Sequence, residues 1–270
     1  MISDHMRGAK RPDVQWRDLL ELSPIEKLWE LFLPVPWLVS SLFCYHSRWL
    51  VVGLIFSFYF FLTALRQAHG AQHYTLGVGR QLQDFLMFIL SILMLCSIHA
   101  VQTTHLHHHR HCLDAEDVEG STARVSWWRA ILLGPLFPLR LHHAAWQLGS
   151  FCKRVWMAAE IAAVLLAVIA IVASSRSHAL RWHYGAMVAA ESLTGFFAVW
   201  LVHHDCSSTG LFARTQRGRW MNWISYNMFY HVEHHLFPAV PTCHLSRLAS
   251  RLDEGAVLTA KKQVIGCRKD

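Results

Sequence analysis

The chain has 270 residues, 53% of them hydrophobic and only 16% charged, with a formal net charge of +7. That length allows one or two soluble domains, but the apolar residues collect in runs too long and too poor in charge for a soluble core. The basic residues flank those runs without any nucleic-acid-binding motif, so the positive balance points to anionic lipid headgroups or a small acidic protein and argues against nucleic acid. The seven cysteines form no CxxC, which argues against a disulfide framework or a zinc ribbon and suits a reduced cytosolic face.

Residues 1–27 read as a cytosolic N-terminal arm, polar and mixed in charge, without the compact apolar core of a cleavable signal. At its end Ser23-Pro24-Ile25-Glu26 has the form of a capping box with Pro at the first helical position. Leu28–Tyr45 is an apolar run bent by Pro34 and Pro36, and Trp49–Leu65 is a second. The link His46–Arg48 is so short that the two runs are expected to pair as a helical hairpin, which then leads into His69-Gly-Ala-Gln-His73.

The third run, Phe85–Ala100, has sixteen residues against the roughly 20 that a bilayer core needs. A crossing there would put the histidine groups before and after it on opposite faces, so it is expected to dip and return as an interfacial or re-entrant helix. Residues 112–153 hold an acidic stretch, Asp114–Glu119, then Trp127-Trp128 and Pro135–Trp146, read as a cytosolic turn followed by interfacial helices. Val155–Ala173 and Trp182–Val202 complete four spans, joined by Ser174–Arg181, and residues 246–270 form a cytosolic tail. Only Arg48, Arg176 and Arg181 fall on the outer links, as the positive-inside rule requires. The expected fold is an all-α integral membrane protein: four transmembrane helices, interfacial helices and a cytosolic His-rich cap, with the main domain over residues 28–245.

Three histidine groups carry the chemistry. His69 and His73 stand at i, i+4; His105, His108 and His109, and again His231, His234 and His235, stand at i, i+3, i+4. Each set therefore shares one helix face. Eight imidazoles suit iron, zinc, copper or nickel and exceed what one tetrahedral or octahedral ion takes, so two metals sharing a site is the natural reading. No comparable set of carboxylates is present, which sets aside the carboxylate-rich di-iron bundle.

Several other residues are open at this level. Glu233 either accepts a ring N–H from a neighbouring histidine or belongs to a solvated face. Glu160 and Glu191 fall inside spans, where a carboxyl pairs, stays protonated or polarises a substrate end. His107 and His111 crowd the second group as alternative ligands or as solvated neighbours. His142-His143 are expected at headgroups or an ordinary surface, and His46, His99, His178, His183 and His244 are read as structural or exposed.

The set HxxxH, HxxHH and HxxHH, the last running into Leu236-Phe237-Pro238, resembles the histidine boxes of the membrane fatty-acid desaturase superfamily, which also contains hydroxylases and ketolases. The resemblance runs from about Phe60 to about His244. Asn227, Tyr230, Leu236-Phe237-Pro238 and Pro241 are similar to the acyl desaturase branch, whereas Asp117-Val118-Glu119 departs from the Asp-Pro-Glu of many relatives. The resemblance implies a non-haem di-iron centre held by His69, His73, His105, His108, His109, His231, His234 and His235, with a ninth ligand upstream of the third box. His203 and His204 are both in the expected place, and His203 is slightly favoured.

The resemblance further implies an O2-dependent fatty acyl desaturase that introduces a C=C bond into a lipid or acyl chain. The alternative is a hydroxylase or ketolase acting on a carotenoid or another lipid. A membrane metal carrier, from a different class, explains three boxes at this spacing poorly. Each turnover needs two external electrons, and the cysteines lack cluster spacing. A separate ferredoxin, rubredoxin or small cytochrome is therefore expected, with Arg214, Arg217 and Arg219 either as its docking surface or as a contact for anionic lipid. The expected location is a bacterial inner membrane, with the site and both termini cytoplasmic.

Overall fold

The computed structural model describes residues 14–208, 211–255 and 262–265. Half of the expected arm, residues 1–13, and residues 256–261 and 266–270 of the tail lie outside the described residues. Helix α1 (Pro24–Phe32) starts on the expected capping box: Ser23 Oγ accepts the Glu26 N–H at 3.3 Å, and Glu26 Oε2 accepts the Ser23 N–H at 2.8 Å. Pro34 stands between it and α2 (Val35–His46), whose first turn holds Pro36, yet Pro24–His46 together is long and apolar enough for one span. Arg48 takes φ 61° in the turn that reverses the chain into α3 (Leu50–Gln72). The hairpin closes on a buried 2.8 Å bond between Tyr45 Oη and Ser57 Oγ. Gly53 lets the Tyr45 ring lie on α3, because a Cβ there would sit 2.5 Å from Tyr45 Cε1. The sequence places the end of this span at Leu65, but α3 runs on to Gln72, so His69 stands on its last turn.

Helices α4 (Arg80–Met94) and α5 (Ile98–His111) meet at 111°. Leu95 takes φ 63° at the bend, and Ser91 Oγ, which donates to Met87 O at 2.8 Å, accepts the Ile98 N–H at 2.9 Å. Ser97 then caps α5 by accepting the Ala100 N–H at 3.1 Å. This is the return that the shortness of Phe85–Ala100 predicts.

Two short helices follow, α6 (Trp127–Leu132) and α7 (Phe137–Leu148), and then the long α8 (Phe151–Ala173). Within α8, the buried Glu160 accepts the Ser97 hydroxyl at 2.6 Å and the His99 N–H at 3.2 Å, and faces His99 Nδ1 at 2.6 Å. Of the roles open to it, Glu160 takes pairing; Glu191 stays half-buried. His142 corrects an expectation. Its Nδ1 donates to Pro138 O at 2.7 Å while its Nε2 accepts the Ser97 N–H at 3.0 Å, so it braces the bend instead of meeting headgroups.

Helix α9 (His178–Thr194) continues through a π-helical turn at Gly195–Trp200 into α10 (Leu201–His203), and His178–His203 forms the fourth span. Leu54, Ile55 and Phe58 on α3, and Leu165, Leu166 and Ile169 on α8, are exposed. So extended an apolar surface suits a bilayer and not water. The chain is an all-α membrane protein.

The remaining helices are α11 (Arg219–Ile224), α12 (His231–Leu236) and α13 (Leu245–Glu254). Leu19 shares a core with Val232, Leu236, Leu248 and Leu252, and Arg251 makes two 2.7 Å bonds to Asp18. Residues 14–22 and α13 thus form one cap over the third histidine group, since an amphipathic helix must bury its apolar face against something.

Candidate metal centre

The fold delivers histidines from four directions to one point. His69 and His73 come from the end of α3, His105, His108 and His109 from α5, His203 from α10, and His231, His234 and His235 from α12. They sort into two groups. Donor atoms of His69, His73, His105, His109 and His234 lie within 4.8 Å of one another, as do those of His108, His203, His235 and Cys112. His231 joins the second group, with its Nε2 2.9 Å from His203 Nε2 and 3.2 Å from His235 Nε2. The groups abut where the His109 and His235 rings stack at 4.3 Å.

The Nε2 atoms point inward and meet at near-constant spacing. His73–His105 and His105–His109 are 3.1 Å apart, His109–His234 is 3.0 Å and His108–His203 is 3.2 Å. Two nitrogens about 2.1 Å from one ion, at a right angle about it, would lie about 3.0 Å apart. The opposite ring edges show that these are not ordinary hydrogen bonds. His203 Nδ1 faces Phe212 O at 2.8 Å, so that nitrogen carries the proton and a neutral ring leaves Nε2 bare. His108 Nδ1 faces Asp117 Oδ2 at 2.8 Å and His105 Nδ1 faces Glu119 Oε1 at 3.1 Å, so there too the Nδ1 proton is turned outward to an acceptor.

Burial pushes His73, His231, His234 and His235 well below the ordinary histidine value, so at neutral pH they are neutral donors. His108 goes the other way: burial disfavours its charge, but Cys112 and Asp117 outweigh burial and lift it well above. Lone pairs gathered this closely repel unless a cation sits among them, and the donor set fits two borderline transition metals.

Asp117 is the residue that sequence reasoning undervalued. Its Oδ1 accepts the Gly120 N–H at 2.8 Å, and its Oδ2 accepts the Leu113 N–H at 2.7 Å in addition to His108. Burial alone would raise its carboxyl, but the His108 and backbone bonds bring it down to about 2. Gly120 is needed there, because a Cβ would fall 2.1 Å from Asp117 Oδ2. The signal was available, two carboxylates shortly after the second box, yet it read only as a departure from Asp-Pro-Glu. Cys112, 3.9 Å from His108 Nε2, gave no signal beyond its adjacency.

Between the two histidines at the end of the fourth span, the structure brings in only His203. His204 stacks on Trp200 at 3.8 Å and donates its Nδ1 proton to Trp200 O at 2.8 Å. One expectation at the third box is corrected. Glu233 is fully buried, but it accepts from Thr215 Oγ1 at 2.7 Å and Arg217 at 2.6 Å, not from a metal-facing histidine. Arg217 also binds Asp253 at 2.8 Å, and Arg214 binds His204 O and Asp205. Asn227 takes φ 67° and gives its N–H to Asn222 O at 2.8 Å, turning the chain into α12.

Fold and site together define a membrane-embedded helical protein with paired imidazole clusters suited to two metal ions. The fatty acid desaturase family model matches residues 47–264, and the chain belongs to that family. Membership makes it an oxygen-dependent oxidoreductase at the level of the superfamily, in a family known for di-iron use. No curated protein gives a significant match to the chain.

Proposed function

We propose that the protein is a membrane-bound di-iron fatty acyl desaturase that converts a CH2–CH2 unit of a lipid or acyl chain to an alkene, with O2 as oxidant and two electrons from a separate carrier. The observation that carries this reading is the convergence of nine imidazoles in two abutting groups within a desaturase-family chain. His69, His73, His105, His109 and His234 hold one iron, and His108, His203, His231 and His235 the other. Iron bound there supplies O2 activation and hydrogen removal from an unactivated C–H bond. The chain's own residues fix the geometry: Asp117 and Glu119 keep His108 and His105 in the tautomer that presents Nε2, and Phe212 O does so for His203.

Leu236-Phe237-Pro238 and Asn227 favour an acyl chain over a carotenoid. The electron donor is a ferredoxin, rubredoxin or small cytochrome. The histidine-bearing end and both termini face the cytoplasm of a bacterial inner membrane. Expression in a host lacking desaturation, followed by mass spectrometry of total fatty acids, should show a new alkene. A hydroxylated product would instead establish the hydroxylase alternative, and an unchanged profile with iron bound and a donor present would overturn the assignment. His234→Ala should abolish product while membrane insertion persists.

A further inference from the structure

Outside the two inward-facing groups, α5 carries a second histidine pair that the centre does not use. His107 and His111 stand one turn apart, and their rings stack at 4.2 Å with 14° between planes. Both are half-buried and reach solvent, unlike the buried His108 and His109 between them. The chain then turns back through Asp114–Glu116, and His111 Nδ1 lies 3.0 Å from Asp114 Oδ2 and 3.5 Å from Glu116 Oε2. Donor atoms of His107, His111 and Glu116 all fall within 4.8 Å of one another.

We propose that His107, His111 and Glu116 form a third, solvent-accessible metal site that takes a borderline divalent cation such as Zn2+, Co2+ or Ni2+. Two imidazoles and a carboxylate match the three-protein-ligand pattern of an open tetrahedral site, with water in the fourth position. The imidazole share selects against Mg2+ and Ca2+, which prefer oxygen ligands throughout. The turn that carries Glu116 is held independently of any cation: Asp114 Oδ1 accepts the Glu116 N–H at 2.8 Å, and Arg124 donates to Asp114 O. The carboxylate is therefore already placed beside the rings. This site rests on no step of the proposed reaction.

The test is cobalt binding by the full-length, iron-loaded protein in detergent, read by equilibrium dialysis and by the visible ligand-field bands of Co2+. The native chain should take one Co2+ per chain beyond its iron. The double variant His107→Ala/His111→Ala should lose that ion with iron content unchanged, and His143→Ala, another surface histidine, should retain it. Glu116→Gln should weaken Co2+ binding about 10-fold, and it decides the matter if the double variant fails to fold. Failure of the native chain to take the extra ion would overturn the proposal, as would equal binding by the Glu116→Gln and native proteins.

Discussion

At the scale of single residues, the centre depends as much on what lies behind the imidazoles as on the imidazoles. Asp117 is a positioning residue: two backbone N–H bonds hold its carboxylate, and the third partner is His108 Nδ1. Asp117→Asn keeps the size but removes the charge that fixes the ring's tautomer. Metal retention in a chelator competition should fall by about 10–100-fold while helix content stays unchanged. Asp117→Glu should restore part of it, which a merely structural defect would not do. Equal retention by Asp117→Asn and the native protein would remove Asp117 from this role. His203 and His204 make the same point. Adjacent in sequence, they end about 100° apart on a helix, and one meets His108 while the other stacks on Trp200.

At the scale of elements, the site is assembled by a bend and a close approach. The bend between α4 and α5 is over-determined by Ser91, Ser97, His99, His142 and Glu160, so α5 can return to the end where α3 stops. The close approach is Gly134, just before α7, where a Cβ would meet Ser192 O of α9 at 1.8 Å. That oxygen belongs to helix backbone and cannot swing away. Gly134→Ala should therefore cost about 1–3 kcal/mol and lower the thermal midpoint in detergent. Gly185→Ala is the control: a Cβ there meets nothing within 4 Å, so helix propensity should leave stability unchanged or raise it by about 1 kcal/mol. Equal midpoints for the two variants would show that the α7–α9 approach is not tightly packed.

At the scale of the whole molecule, one buried ion pair ties the first span to the second and to the segment before the third box. Arg66 donates to both oxygens of Glu30, at 2.7 and 2.6 Å, and its Nε donates to Tyr226 O at 2.8 Å. Both side chains are only 2% exposed. Arg66→Ala leaves Glu30 buried without its countercharge, which should cost about 3–5 kcal/mol and reduce the yield of inserted protein. The double variant Glu30→Leu/Arg66→Met should recover most of the thermal midpoint, because apolar packing replaces a buried pair well. If Arg66→Ala retained the native midpoint, the pair would not join the spans energetically.

Much of this protein was legible in its sequence. The four apolar runs, the capping box at Ser23 and the i, i+3, i+4 histidines are local patterns, and local patterns survive without knowledge of partners. Even the return of Phe85–Ala100 followed from its length and from the demand that two histidine groups meet. What the sequence left open depended on contacts between residues far apart in the chain. The division of the histidines into two groups, the choice of His203 over His204, and the backing of His108 by Asp117 all arise from side-chain direction, which a π-helical turn, a 111° bend and an acidic turn set. The same holds for Glu233 and Arg217, whose charges looked free for partners but satisfy one another inside the cap. Sequence spacing determined which residues could share a face; only the tertiary structure decided where each face points, because direction is fixed by packing between elements rather than within them.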